Sequence, residues 1–289
     1  AEAIMKLNAW FPSVQIGNDP KAIRDWAQAA EDLGYEYIEV PDHVFGATGR
    51  NGWTPRYDAF APFHETFTTM AFLAATTKSI KLSSGVLILP QRQTGLVAKQ
   101  AAEVDVLSEG RLRLGIGVGW NHVEYEALNC EWKSRGLKQR EQIEVLRQLW
   151  TKKLATYKGR FHDFEEVTIV PSPIQYTIPI WLGGSADAVI KRAAELGDGW
   201  MPILPPDDTA NIALEKLYGH LDNFGRKRKD FGIEAWLRFH EDNPNAWAEA
   251  ADGWRSLGAD MAMLYPMWQV NGVDGQIEIL RRFKDVAGG

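Results

Sequence analysis

Residues 112–128, LRLGIGVGWNHVEYEAL, decide how the chain is read. Leu112, Leu114, Ile116 and Val118 alternate along residues 112–118, the period of a buried strand. Gly115, Gly117 and Gly119 open its C-terminal half. Glycine inside a strand marks a bulge or a close approach by a ligand or another backbone. Three of them predict a floor beneath something flat and large, with close strand packing as the alternative. Trp120, Asn121 and an acidic, helical patch follow.

The same rhythm extends in both directions. Upstream, strands at residues 7–11, 35–40 and 80–89 alternate with helices at 20–33, 65–77 and 96–107. The third strand is near-continuously apolar except for Ser83-Ser84-Gly85, as suits a parallel strand buried on both faces. Downstream, a long amphipathic helix at 134–150 precedes residues 156–170, whose alternation and Lys158-Gly159 turn predict a hairpin insertion. Strands at 178–182, 199–204, 235–239 and 260–265 then alternate with four helices. Eight strand–helix units with an insertion after the fourth predict an α/β fold of the (β/α)8 TIM-barrel type rather than an open doubly wound sheet. Residues 1–289 read as one such domain.

Composition removes whole classes of function. With 45% apolar and 24% charged residues the chain can bury a large core. A formal charge of −6 without a basic stripe disfavours nucleic acid. The one basic run, Arg226-Lys227-Arg228-Lys229, reads as a solvated helix end. A single cysteine, Cys130, forms neither an intramolecular disulfide nor a cysteine zinc site. No apolar stretch is long enough to span a bilayer, so no membrane partner is expected. AEAIMKLN lacks the apolar core of a secretory signal, which makes the cytoplasm the expected compartment.

In a barrel of this type, chemistry sits at the C-terminal ends of the strands. Those ends carry Asp42-His43, Ser84-Gly85-Val86, Gly117-Val118-Gly119-Trp120, Gly183-Gly184-Ser185, Pro202 and Pro266. Gly183-Gly184-Ser185 follows a strand and opens a helix whose unpaired amides suit a phosphate, with Ser185 able to cap it. An ordinary strand-to-helix turn is the alternative. Asp42-His43 is the best titratable pair, a histidine whose tautomer a neighbouring carboxylate can fix, or else a structural histidine. His64-Glu65 reads as a helix start and His162-Asp163 as part of an exposed hairpin. No histidine pair has metal-ligand spacing, so no metal is expected, and no Gly-x-Ser-x-Gly elbow exists. Gly115-x-Gly117-x-Gly119 does not fit a dinucleotide fingerprint, because the third glycine comes one residue early. Trp120 and Trp53 are the tryptophans expected near a ring.

A phosphate site without nucleophile or metal suggests a cofactor that brings its own reactivity. Three long blocks carry a specific resemblance: PDHVFG (41–46), KLSSGVLILPQRQTGLVAKQAAEVDVLSEGRLRLGIGVGWNHVEYEAL (81–128) and IPIWLGGSADAVIKRAAELGDGWMP (178–202). Together they resemble the bacterial luciferase-like monooxygenase superfamily, and within it the branch labelled coenzyme F420-dependent oxidoreductases. The resemblance implies a TIM barrel binding FMN or the deazaflavin F420. It implies that Gly183, Gly184 and Ser185 hold the cofactor phosphate, and that Gly119 and Trp120 lie beside the cofactor. It also implies that Ser84-Gly85-Val86 forms a bulge behind the ring, with a non-prolyl cis peptide at Gly85–Val86. Asp42 and His43 would stand at the reacting centre, His43 oriented by Asp42.

One departure narrows the chemistry. Sugar-phosphate dehydrogenases of this branch carry an acidic residue after the glycines, where Trp120 stands, so that chemistry is disfavoured and His43 is left as the proton-transfer candidate. The expected activity is hydride transfer between reduced F420 or FMN and a small organic substrate. An FMN-dependent monooxygenase using oxygen is the alternative, and a cofactor-free isomerase or lyase acting on a phosphorylated metabolite a remoter one. A barrel that has lost catalysis is also open. The loop at residues 46–62 and the hairpin would form the substrate pocket, and helices around Ala71 and Leu107 a homodimer face.

Overall fold

The computed structural model describes residues 4–239, 243–265 and 270–288. Pro266 lies outside them. The elements in chain order are β1 (Lys6–Trp10), α1 (Pro20–Asp32), β2 (Tyr37–Val40), α2 (Thr66–Thr76), β3 (Lys81–Ile88), α3 (Thr94–Leu107) and β4 (Leu112–Gly117). There follow α4 (His122–Ala127), α5 (Arg135–Thr151) and the hairpin β5 (Ala155–Lys158) with β6 (Asp163–Val167). The chain then runs through β7 (Ile180–Gly183), α6 (Asp187–Leu196), β8 (Gly199–Met201), α7 (Asp208–Asn223) and β9 (Gly232–Arg238). It ends with α8 (Pro244–Ser256), β10 (Met261–Tyr265) and α9 (Val273–Ala287).

Eight parallel strands close into a barrel in the order β1-β10-β9-β8-β7-β4-β3-β2. The β5–β6 hairpin stands outside it, in the interval after the fourth barrel strand, so the expected (β/α)8 barrel with its insertion is what the chain forms. Local chemistry sets the helix ends. Asp19 caps α1 by accepting from the Lys21 amide and Pro20 pre-sets the first turn, while Ile23, Trp26, Ala27 and Ala30 present one apolar face to the sheet.

Strand β4 is buried at every position. Leu112, Leu114 and Ile116 belong to the apolar core, whereas Arg113, Gly115 and Gly117 turn into the barrel. Inside, Arg113 donates from Nη2 to Glu39 Oε1 of β2 and Glu234 Oε2 of β9, both at 2.6 Å, and from Nε to Ser83 Oγ at 3.1 Å. Its guanidinium also lies 4.4 Å from the Trp181 ring centroid. That indole fills space that a Cβ at Gly199 or Gly232 would occupy. The lower barrel is thus plugged by Trp181 and a buried ion cluster, and only the C-terminal end is left for a ligand.

Two surface readings change. In the basic run, Arg226 donates to the carbonyls of Ala194 and Gly197, and Arg228 to Gly258 and the Asp260 carboxylate. These two arginines fasten chain turns at the barrel's N-terminal end, while Lys227 and Lys229 stand exposed as expected. His162 of the hairpin is not exposed: Nδ1 meets Glu141 at 2.8 Å and Nε2 meets Thr94 Oγ1 at 2.6 Å, docking the insertion onto α5 and α3.

Candidate active site

A cleft of about 440 Å3 opens at the C-terminal end of the barrel. Of the described strand-end segments singled out in the sequence it gathers all but Pro202: Asp42-His43, Gly85-Val86, the Gly117–Trp120 stretch and Gly183-Gly184-Ser185 all line it. Ser84 lies just beneath, wholly buried, its hydroxyl donating to the Gly115 carbonyl at 2.7 Å.

Two unlike walls face each other across the barrel. Trp10 of β1, Trp236 of β9 and Tyr265 of β10 form an aromatic trio with ring centroids 4.9–5.6 Å apart. Opposite, on β3, β4 and β7, Val86 projects from an irregularity in the β3–β4 register between Ser84 and Leu87. The Gly85–Val86 peptide is cis, as the resemblance implied.

The glycines beside Val86 are not an open floor. A Cβ on Gly117 would come within 2.6 Å of Val86 Cγ2, and one on Gly183 within 2.8 Å of Val86 Cγ1. A Cβ on Gly119 would meet Ile88 at 2.9 Å. Gly117 and Gly183 recess two strands so that the valine can be seated, and Val86 shares the surface of the cleft with these glycines. Close packing is realised at these glycines, which also line the cleft.

The phosphate reading is also redrawn. Gly184 has φ +119°, its amide donates to the Met201 carbonyl at 3.3 Å, and its carbonyl accepts from Trp200 Nε1 at 2.7 Å. Helix α6 begins at Asp187 with Ala186 as N-cap and no side-chain cap, so Ser185 does not cap it. The amides available to an anion are therefore those of the uncapped first turn, with Gly184 shaping the approach.

The Asp42-His43 pair does not exist as a pair. Asp42 accepts from Ile88 N at 2.8 Å, from Arg92 Nη2 at 2.6 Å and from Thr66 Oγ1 at 3.2 Å, which uses its carboxylate to tie β2 to α2 and the end of β3. His43 instead places Nδ1 3.0 Å from Glu124 Oε2. The other Glu124 oxygen accepts from the amides of Val44 and Phe45, at 2.8 and 3.2 Å. Glu124 is 1% exposed. A carboxylate held this way accepts from Nδ1–H and leaves Nε2 as the proton-exchanging nitrogen. Around the imidazole stand Phe63, Tyr57 and Trp120, with centroids at 4.7, 5.0 and 5.8 Å. Trp53 stacks on Trp120 at 6.0 Å.

Glu124 is the residue that sequence reasoning missed. Asn121-x-x-Glu124 has the spacing of a capping box, and Asn121 does cap α4 by accepting from the amides of Val123 and Glu124. The Glu124 side chain does not close that box; it reaches across to residues 43–45. An acid does follow the glycines after all, four residues beyond Trp120.

These features fit a flavin-type group. The cleft is bounded by a protruding valine and an aromatic wall, ends at an uncapped helix N-terminus, and contains the Trp236 indole N–H, buried without a hydrogen-bond partner. Among the described residues no cluster of three or more His, Cys, Asp or Glu could hold a metal, and no helix is long and apolar enough to cross a membrane.

Comparison with known proteins agrees with this architecture. The model of the luciferase-like monooxygenase family matches residues 5–283, and the chain belongs to that family. An uncharacterized protein of Mycobacterium tuberculosis is 37% identical over 182 residues, which are 61% of this chain and 62% of that protein. The chain thus spans 62% of that relative's length. The F420-dependent glucose-6-phosphate dehydrogenase of Microbacterium testaceum is 26% identical over 244 residues, covering 81% of this chain and 68% of the dehydrogenase. In structure, a monooxygenase from Streptomyces bottropensis superposes with a TM-score of 0.79 at 19% identity, covering 98% of each chain. F420-dependent enzymes occur among both the relatives and the structural neighbours, and one structural neighbour is a riboflavin lyase solved with a modified FMN.

Proposed function

We propose that this chain is an oxidoreductase that transfers hydride between F420, or FMN, and a small organic substrate. The observation that carries the reading is the shared cleft: the Val86 projection, the uncapped start of α6 and His43 all line one cavity. The cofactor, when bound, supplies the hydride chemistry. Val86 supports its ring from behind, the first turn of α6 with Gly183, Gly184 and Ser185 holds its phosphate, and Gly119 and Trp120 border it. His43 gives or takes the substrate proton at Nε2, and Glu124 fixes the tautomer. Tyr57, Phe63 and Trp120 keep water from the imidazole. Asp42 acts one step back, holding the segment that carries His43. The substrate enters beside the loop at residues 46–62.

Titration of the pure protein with FMN and with F420, oxidised and reduced, tests this by fluorescence. Tight binding of one of them, with hydride transfer that falls when His43 is replaced by Gln, is the expected result. Oxygen consumption coupled to reduced FMN would place the chain with the monooxygenases instead, and binding of neither cofactor would overturn the reading.

A further inference from the structure

The chain after β8 runs Ile203-Leu204-Pro205-Pro206, four consecutive apolar residues in a loop, all half-buried or exposed. Loops are ordinarily polar, and an unburied apolar run marks a functional surface. Helix α8 holds this loop at one end. Trp254 Nε1 donates to the Leu204 carbonyl at 3.1 Å, and a Cβ on Gly253 would come within 2.7 Å of Pro206. Ala250 and Ala246, one and two turns earlier on the same helix face, leave a gap instead. That gap is a side cleft of about 370 Å3, walled by the loop, by β9 and by the two alanines. Among the described residues lining it only Arg238 is charged, and that side chain is exposed.

The side cleft adjoins the main one, because Ile203 and Trp236 line both. Trp236 is 5% exposed, and its indole N–H has no hydrogen-bond partner among the described residues. Its Cζ2, on the same edge of the indole as Nε1, lies 3.5 Å from where a Gly85 Cβ would stand. The donor edge thus faces the floor of the main cleft. A cavity of roughly 300–1,000 Å3 suits one small ligand. At about 440 and 370 Å3 the two clefts are spaces for one ligand each, and a cofactor and a substrate need both. A ring backed by Val86 leaves its other face for the substrate, and that face looks towards Trp236.

We infer that the substrate is an elongated molecule with an aliphatic chain, the chain lying in the side cleft and an oxygen accepting from the Trp236 indole N–H where the clefts meet. An aliphatic occupant fits because the walls beyond Trp236 carry no aromatic ring to stack on. The inference rests on reading the main cleft as the active site, and it does not depend on which cofactor binds there.

Primary n-alcohols from 1-butanol to 1-octanol are the probes, titrated into the pure protein while tryptophan fluorescence is followed. Each added methylene is expected to tighten binding about fourfold, as burial of a CH2 group allows. Diethylene glycol monomethyl ether, a chain as long as 1-heptanol but interrupted by two oxygens, should bind at least tenfold more weakly than 1-heptanol. Ala250→Phe fills the side cleft and should abolish the gain per methylene while leaving 1-butanol and cofactor affinity unchanged. Ala246→Phe, at an exposed helix position that does not put folding at risk, should do the same. Trp236→Phe should weaken every alcohol about tenfold and keep the gain per methylene. No gain with length, a gain that survives in both alanine variants, or alcohol affinities untouched by Trp236→Phe would overturn the proposal. So would alanine variants that lose FMN or F420 affinity, because the side cleft would then belong to the cofactor. A gain that the alanine variants lose, in a protein that binds neither cofactor, would support the aliphatic subsite while sinking the oxidoreductase reading.

Discussion

His43 Nδ1 lies 3.0 Å from Glu124 Oε2, a contact made across 81 residues of sequence. It joins the end of β2 to the helix that follows the glycines of β4, and the same carboxylate pins the backbone at Val44 and Phe45. Glu124 therefore acts on both the tautomer of the imidazole and the start of the loop over the cleft.

Replacing Glu124 by Gln should lower kcat about 10- to 100-fold near neutral pH, a part of the roughly 100- to 10,000-fold that general acid–base catalysis contributes. The amide cannot hold the Nδ1–H tautomer as a carboxylate does. Nitrogen NMR of the His43 ring reads this directly: Nδ1 is protonated in wild type, and the tautomers mix in the variant. Asp42→Asn should behave differently. It breaks a buried pair with Arg92, so a loss of about 3 kcal/mol in urea unfolding is expected, with the His43 tautomer unchanged.

A second expectation concerns the seat of Val86. Gly183→Ala brings a methyl group within 2.8 Å of Val86 Cγ1, so the valine must move into the cleft. Cofactor affinity should fall at least tenfold, while stability drops by about 1–3 kcal/mol, the usual cost of overpacking. Adding Val86→Ala should restore space and recover part of the stability. A double variant no better than Gly183→Ala would show that the recess serves something other than Val86.

The barrel was legible because parallel strands buried on both faces read as apolar runs, and because the Ser83-Ser84-Gly85 interruption stood out against one of them. The partners of the site were not. Asp42 and His43 are adjacent in sequence but serve different elements: Asp42 is claimed by Arg92, 50 residues on, and His43 by Glu124. In Glu124, a capping-box spacing disguised a long-range acceptor. The glycines revealed that something approached the strand closely, yet composition alone could not say whether it was a ligand or Val86.

Trp236 offers a third test. Its indole N–H is buried without a partner at the edge of the cleft, and its ring carbon Cζ2 lies 3.5 Å from where a Gly85 Cβ would stand. Leaving a buried donor unpaired costs roughly 1–3 kcal/mol, so Trp236→Phe should unfold at nearly the wild-type urea concentration despite the lost packing. A bound ligand that accepts from the indole would reverse the balance, and cofactor or substrate affinity should fall about tenfold. If the variant binds both as wild type does, the donor has no ligand.

The buried cluster under the cleft carries a pH dependence of definite sign. One guanidinium, Arg113, faces two carboxyl groups. Burial and the neighbouring Glu234 push Glu39 well above the carboxylate range, whereas Glu234, despite its own burial, is held below it by Arg113. Glu39 therefore keeps its proton in the folded chain at a pH where the unfolded chain has released it. The folded state binds more protons in that window, so this group's stabilising contribution is fully present below about pH 4.5 and is lost as pH rises through the folded-state value. Glu39→Gln mimics the protonated form. Its stability relative to wild type should therefore improve steadily from pH 5 to pH 8 in urea unfolding. Glu234→Gln should instead cost about 3 kcal/mol at pH 7, because it removes the ionised partner of a buried cation. Two variants with the same pH profile would mean that the proton is shared evenly, and that Arg113 does not distinguish β2 from β9.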